Sequence, residues 1–312
     1  MKRALKDAAN AAFRWGQRRL AAGHGAVLMF HSVPDDQTLE QRIIPAPTLE
    51  MSTADLIRHI EDHQAQGCEF ISMDELAQRL QHRRLPADKR RFACATFDDG
   101  YLDNLTQALP IFKARQIPLT IFLIPGFIDQ DLVHYGATLQ RWVRDNTILK
   151  YRLGGQDHSL PAHTAEQKVT SLQHLQKTLG AALSAKDYRP FFEDNQIPIP
   201  TLALNWDQVR QMAQEPLVTF GAHTLNHPRL TRLDATTAQH EILGSKQRLE
   251  AFLGKPVDHF AYPFGDHGPR EAALARQVGF KTISTTRQAY TNLRTTDPLA
   301  LPRLRASAFK RS

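Results

Sequence analysis

Phe92-Ala93-Cys94-Ala95-Thr96-Phe97-Asp98-Asp99-Gly100 is a short apolar run that ends on two adjacent carboxylates and a glycine. Six mostly apolar, β-prone residues bounded by a turn signal read as a buried strand. Neighbouring residues that leave a strand point in different directions. Asp98 and Asp99 can therefore do two jobs at one strand end, such as binding a metal and moving a proton. An ordinary Asp-Gly turn gives the same local pattern, so the stretch acquires a meaning only beside a second cluster.

That cluster is His223-Thr224-Leu225-Asn226-His227, directly after a second buried-looking run over 217–222. Two imidazoles and a carboxylate form a familiar zinc ligand set that leaves coordination positions for water and substrate. An i, i+4 pair can also share one helix face. The strand before it and Pro228 after it favour a strand-exit loop.

Strand-like segments at 27–30, 69–72, 92–97, 119–124, 217–222, 259–262 and 280–285 alternate with helix-like ones. Ser52 can cap a helix that Gly67 ends, and Ser72 opens another with capping-box spacing. Asp234 can start a helix that stops at Gly254, and Gly279 closes one begun near Arg270. About seven β/α alternations imply an α/β fold with a parallel sheet covered by helices. In barrels of this class the site lies at the C-terminal ends of the strands. His31, Asp98/Asp99, His223 and Pro263-Phe264 each follow directly on an expected strand.

The segment at about 129–204 interrupts the alternation. Val169, Leu172, Leu175 and Leu179 recur at helical spacing within it, and it is too long for an ordinary loop. It reads as a helical insertion beside the barrel mouth, either a lid or a packing element. Its histidines, His134, His158, His163 and His174, read as solvated.

A chain of 312 residues with 42% hydrophobic residues can form one large domain with a sizeable core. Cys68 and Cys94 lie far apart in apolar surroundings and read as buried free thiols. The net charge of +7 is concentrated at the start, where six basic residues face one acidic residue within positions 1–20. The nearly neutral remainder argues against nucleic acid as a partner. Residues 1–24 have the spacing of a basic amphipathic helix, leaving 25–312 as a single barrel domain. That helix can rest on an anionic membrane surface or pack across the barrel's bottom. With arginines interrupting every apolar stretch near the start, the expected location is cytoplasmic, with peripheral contact at the inner membrane face.

Together the two clusters resemble the polysaccharide deacetylases, the carbohydrate esterase family 4 or NodB-homology group. The family's first motif, TFDDG, stands at 96–100, and its second, H-[S/T]-x-x-H, at 223–227. Phe260-Ala261-Tyr262-Pro263-Phe264-Gly265 is similar to the third motif in an Ala-containing form. The resemblance runs from about residue 26 to residue 305. It implies an irregular (β/α)7-8 barrel with an insertion, and a metal-dependent carbohydrate N-deacetylase. Asp99, His223 and His227 would then hold a divalent ion, most commonly Zn2+, with Asp98 as general base. The Phe264 N–H, at the Pro263-Phe264 step, would help to hold the oxyanion.

Two departures redirect the search. Ala261 stands where the commonest pattern has an arginine against the catalytic carboxylate, which makes Arg303 the candidate replacement. No late histidine follows His267. His31 matches the Tyr-His start of poly-N-acetylglucosamine-type deacetylases and becomes the candidate general acid, with His267 as runner-up. Tyr101, Tyr262, Phe264 and Trp206 are candidate sugar-stacking aromatics, and Asp35 and Asp36 read as loop residues. The implied substrate is an N-acetylated glycan or a lipid- or nucleotide-linked sugar. A non-catalytic carbohydrate-binding relative, and a deformylase or amidase acting on a lipid-linked amino sugar, are the alternatives.

Overall fold

The computed structural model describes residues 24–46, 48–83 and 91–306. The amphipathic segment at 1–24 lies outside the described residues, apart from His24, which opens the first strand.

Eleven strands are formed among the described residues: β1 (His24–Phe30), β2 (Cys68–Phe70), β3 (Arg91–Asp99), β4 (Leu119–Leu123), β5 (Ile148–Leu153), β6 (Gln156–Pro161), β7 (Val218–Ala222), β8 (His259–Ala261), β9 (Thr282–Ser284), β10 (Thr291–Asn292) and β11 (Leu304–Arg305). Nine of them build one curled sheet whose main path runs β10-β1-β3-β4-β7-β8-β9. All pairings in it are parallel except that of β10 with β1. β2 pairs with Arg91, Phe92 and Ala93 of β3, and β4 pairs further along, from Ala95 to Asp99. This sharing of one strand makes the barrel irregular. The C-terminal segment bridges the two ends of the sheet. Leu301 N–H donates to Ile283 O at 2.8 Å, and Leu304 pairs with Leu28 of β1.

Side-chain alternation divides the sheet into two faces. Ala95 and Phe97 of β3 and Leu28 and Phe30 of β1 face the helices in the large apolar layer, where Phe97 stacks on Phe30 at 5.1 Å. Thr96 and Asp98 take the other face, toward the axis. Helix ends fall where local chemistry placed them. Ser52 Oγ accepts from Asp55 N–H at 3.0 Å, Ser72 Oγ from Glu75 N–H at 3.0 Å, and Asp234 from Thr237 N–H at 2.9 Å. Gly254 and Gly279 close their helices in the left-handed conformation. Cys68 and Cys94 are buried free thiols.

The reading of 129–204 as helical is incomplete. Helices at Tyr135–Asp145, Ala165–Ala182 and Tyr188–Asp194 are joined by an antiparallel hairpin, β5–β6, that turns at Gly154-Gly155. Both glycines have positive φ, 58° and 79°, as a tight two-residue hairpin turn requires. The segment carries its own apolar cluster, with Leu139, Leu149, Leu172 and Phe192 at its centre. Its end is tied to the exit of β3, since Leu204 N–H donates to Gly100 O at 3.0 Å and Ala203 bridges Tyr101. The insertion therefore stands beside the barrel mouth. Among the described residues no helix is long and apolar enough to cross a membrane.

Candidate metal centre and active site

Asp98 and Asp99 end β3, and the backbone decides their separate roles. Asp98 continues the alternation and faces inward. Asp99 has φ +77°, which turns the chain and brings its carboxylate to the histidines leaving β7. Its Oδ1 lies 3.5 Å from both His223 Nε2 and His227 Nε2. Gly100 follows with φ +74°, and a Cβ there would meet Leu123 Cδ2 at 2.7 Å, so only glycine fits.

The His loop is braced from below. Thr224 Oγ1 donates to His223 O at 2.6 Å and accepts from His227 N–H at 3.0 Å. Glu241, buried on the helix Ala235–Leu253, accepts from Asn226 N–H and Nδ2, both at 2.8 Å. Thr224 and His227 have φ +64° and +56°, and Phe264 has +58°. With Asp99, half of the eight described non-glycine residues of positive φ lie at this mouth. Such strain collects where the surrounding fold over-determines a functional conformation.

The donor set fits a cation. Asp99 Oδ1 is buried without a hydrogen-bond partner among the described residues. One ligand atom from each of Asp99, His223 and His227 lies within 4.8 Å of the others. His223 Nδ1 lies 2.7 Å from Ala261 O, a contact in which the ring nitrogen donates and leaves Nε2 as a lone pair facing Asp99. Burial lowers the pKa of both imidazoles and keeps them neutral, as ligands must be. Burial and the Asp98 charge push Asp99 up to about 8, a conflict that a bound cation removes. The triad is consistent with a divalent metal.

Arg303, fully buried, reaches Asp98 from the closing segment. Its Nη1 donates to Oδ1 at 2.7 Å and its Nη2 to Oδ2 at 2.8 Å, a bidentate fork, while Nε donates to Thr285 O at 3.0 Å. Burial alone would raise the Asp98 pKa. The guanidinium overcomes it and holds the group well below the usual carboxylate range. Ala261 and Gly221 lie on the same inward face and leave it open. A Cβ on Gly221 would meet the Phe122 ring at 2.5 Å, and Arg303 lies 5.5 Å from that ring's centroid.

His31 Nε2 lies 3.9 Å from Asp98 Oδ2, close but beyond hydrogen-bond distance, and its Nδ1 is buried without a partner among the described residues. Burial lowers its pKa to about 4 against the opposing pull of Asp98. His267 instead stacks on Tyr262 at 4.4 Å and bonds Gly265 O. Of the four aromatics suggested for sugar stacking, only Phe264 is strongly exposed, at 53%. Tyr262 is buried, and Trp206 packs on Phe252 while its Nε1 donates to Asp129 at 2.6 Å. Tyr101 stacks on His134 at 4.2 Å. His134 is therefore not solvated. It lies between Tyr101 and Phe127, its Nε2 has no partner among the described residues, and burial lowers its pKa to about 3. Asp35 caps the short helix Asp36–Glu40.

With this geometry in place, similarity to known proteins gives it a family. The profile of the polysaccharide deacetylases matches residues 86–283. The chain belongs to the polysaccharide deacetylase family. Among solved deacetylase folds, IcaB from Ammonifex degensii is 19% identical, with a TM-score of 0.57 over 91% of this chain and 92% of that one. A de-N-acetylase from Aggregatibacter actinomycetemcomitans is 17% identical, with a TM-score of 0.59 over 90% and 94%. The Streptococcus pyogenes deacetylase PplD, solved with acetate, is 19% identical, with a TM-score of 0.57 over 90% and 91%. YxkH of Bacillus subtilis (strain 168), which carries a provisional polysaccharide deacetylase name, is 20% identical over 260 residues. That alignment covers 83% of this chain and 63% of YxkH, so the chain spans less than two thirds of that relative. These likenesses support the curled α/β barrel of the family.

Two supports of this site are not legible as such in the sequence reading. Glu241 has a legible signal, a carboxylate at helical spacing beside Ala238, Ile242 and Leu249 on the buried stripe. Asn104, whose Nδ2 donates to His31 O at 2.9 Å, has none.

Proposed function

We propose that this deacetylase-family protein is a metal-dependent hydrolase that removes the N-acetyl group from an amino sugar of a polysaccharide or glycan precursor. The observation that carries the reading is the juxtaposition of an ionised carboxylate, clamped by a buried arginine, with a neutral His-His-Asp triad. A structural Asp-Gly turn requires neither.

Asp99, His223 and His227 would hold the ion. A bound zinc-like ion supplies Lewis-acid polarisation and water of lowered pKa. Asp98 takes the proton of the attacking water. Arg303 keeps Asp98 ionised across the neutral range and fixes both of its oxygens, so one lone pair is presented in a set direction. The Phe264 N–H holds the oxyanion at the left-handed Pro263-Phe264 step, with Tyr101 as a wall of the sugar site. His31 gives a proton to the departing amine. It is neutral when free, so it acts only after it has gained the proton delivered to the Asp98 side.

Acetate and formate release from a panel of N-acetylated and N-formylated amino sugars tests the reading. Acetate from the zinc-loaded wild type is expected. Asp98→Asn should keep the ion and lose turnover by about 10²–10⁴-fold, the usual contribution of a positioned acid or base. His31→Gln should lose less and also keep the ion. Formate alone would reassign the reaction to deformylation. Ion binding without turnover of any substrate would return the protein to carbohydrate binding.

A further inference from the structure

We infer that the barrel mouth recognises an anionic, phosphate-type group on the amino-sugar substrate, with Arg229 as its principal receptor. The inference rests on the deacetylase reading above and names a substrate class for it. Arg229 is exposed and stands two residues beyond His227. Its guanidinium carbon lies 4.3 Å from the centroid of the exposed Phe264 ring, and that ring lies 4.5 Å from the His227 ring. Stacking occupies the face of a guanidinium and leaves its in-plane N–H donors free. Those donors match two oxygens of a phosphate or carboxylate at once.

The chain supplies no such anion itself. Several exposed arginines pair with a carboxylate, as in Arg210 with Asp207, Arg248 with Asp129 and Arg276 with Asp297, while others, such as Arg232 and Arg287, do not among the described residues; what sets Arg229 apart is its place on the Phe264 ring at the barrel mouth. Arg229 has no carboxylate partner among the described residues, and its guanidinium lies against the Phe264 face. Asp266, a carboxylate in the turn that follows Phe264, is engaged instead by Thr231 N–H and Oγ1 at 3.1 and 2.7 Å. A second cation stands at another strand exit. Arg305 is exposed on β11, which pairs with β1 just before His31, and it too lacks a carboxylate among the described residues. Its backbone is held by Gln288 Oε1 at 3.0 Å.

A neutral polymer requires the Phe264 ring but gives no reason for an unpaired, pre-oriented guanidinium on it. An anion one sugar unit from the reacting amide gives both a place. The same chemistry arises in a sugar 1-phosphate, a nucleoside-diphosphate sugar or a polyprenyl-diphosphate sugar.

The test compares the zinc-loaded wild type with Arg229→Ala and Arg229→Lys on matched N-acetylated amino sugars. One arm is a neutral methyl glycoside; the others are the 1-phosphate, the nucleoside diphosphate and the polyprenyl diphosphate. The wild type should favour an anionic form by roughly tenfold or more in kcat/KM, chiefly through KM, and salt should erode the preference. Arg229→Ala should collapse that ratio, and Arg229→Lys should restore part of it. The arm with the largest ratio identifies the source of the anion. Equal preference in wild type and Arg229→Ala overturns the proposal. If no substrate releases acetate, the deacetylase reading fails by itself, and calorimetric binding of the sugar 1-phosphate still decides the inference. Binding weakened by Arg229→Ala sustains it; no binding, or binding indifferent to Arg229, ends it.

Discussion

Asp98 and Arg303 are separated by most of the chain, yet they form a fully buried bidentate pair. Sequence reasoning can see that Asp98 lacks its usual local partner at Ala261. It cannot see which residue the fold returns to that place, because the return depends on how the closing segment crosses from β9 to β1. In the sequence Arg303 is legible only as a candidate, a cation in the late run Leu301-Pro302-Arg303 that could take the place of the missing partner. Removal of one member of a buried pair leaves the other unpaired in a low-dielectric site. Arg303→Met should therefore cost about 3–5 kcal/mol in urea unfolding, a larger loss than most single substitutions cause. The double variant Arg303→Met with Asp98→Asn should recover a substantial part, since no buried charge then remains. Arg303→Lys keeps the charge but not the fork. It should fold better than the Met variant and still turn over poorly. Equal stability of the Arg303→Met single and double variants would show that the pair does not couple.

At the scale of elements, local chemistry was informative where it is self-contained. Seven strands and the caps at Ser52, Ser72 and Asp234 lie close to where residue patterns place them. The hairpin β5–β6 was missed although Gly154-Gly155 is a strong turn signal. Leu149, Tyr151 and Leu153 of β5 do alternate with Lys150 and Arg152, but β6, Gln156–Pro161, is mostly polar and exposed, so the second strand of the pair carries little pattern beside the long helix that follows. The bracing of the His loop was not read either, because Glu241 acts across elements rather than within one. Glu241 bonds Asn226 twice and so sets the loop between the two histidines. Partners that orient metal ligands typically change affinity by about 10–100-fold when lost. Glu241→Gln keeps the shape but replaces one acceptor with a donor facing Asn226, and should weaken zinc binding within that range. Competition with a zinc chelator measures it, and unchanged affinity would make Glu241 a purely structural anchor of the helix.

On the scale of the whole molecule, the pattern of β/α alternation and strand-exit residues carried the barrel, while its irregularity did not show. The sharing of β3 by β2 and β4, and closure by a short bridging segment, are properties of a curled sheet that no local pattern encodes. The ion site is likewise a property of the whole. Asp99 comes from β3 and the histidines from the loop after β7, so the three donors meet only when the sheet is assembled. An ion bound there favours the native state over the unfolded chain by mass action. At a free-ion concentration a hundred times its dissociation constant the gain is about 2.7 kcal/mol. For a domain of this size that corresponds to roughly 4 °C in Tm. Chelation of the purified protein should lower Tm by that amount, and zinc should restore it. His223→Ala should abolish the increment, because it removes a ligand whose Nδ1 is already committed to Ala261 O. Asp98→Asn should retain the increment, because Asp98 faces Arg303 rather than the triad. Scanning calorimetry of the three proteins with and without zinc separates the two carboxylates. An increment lost in Asp98→Asn would make Asp98 a ligand and undo the division of labour between Asp98 and Asp99, and one kept in His223→Ala would remove His223 from the ligand set.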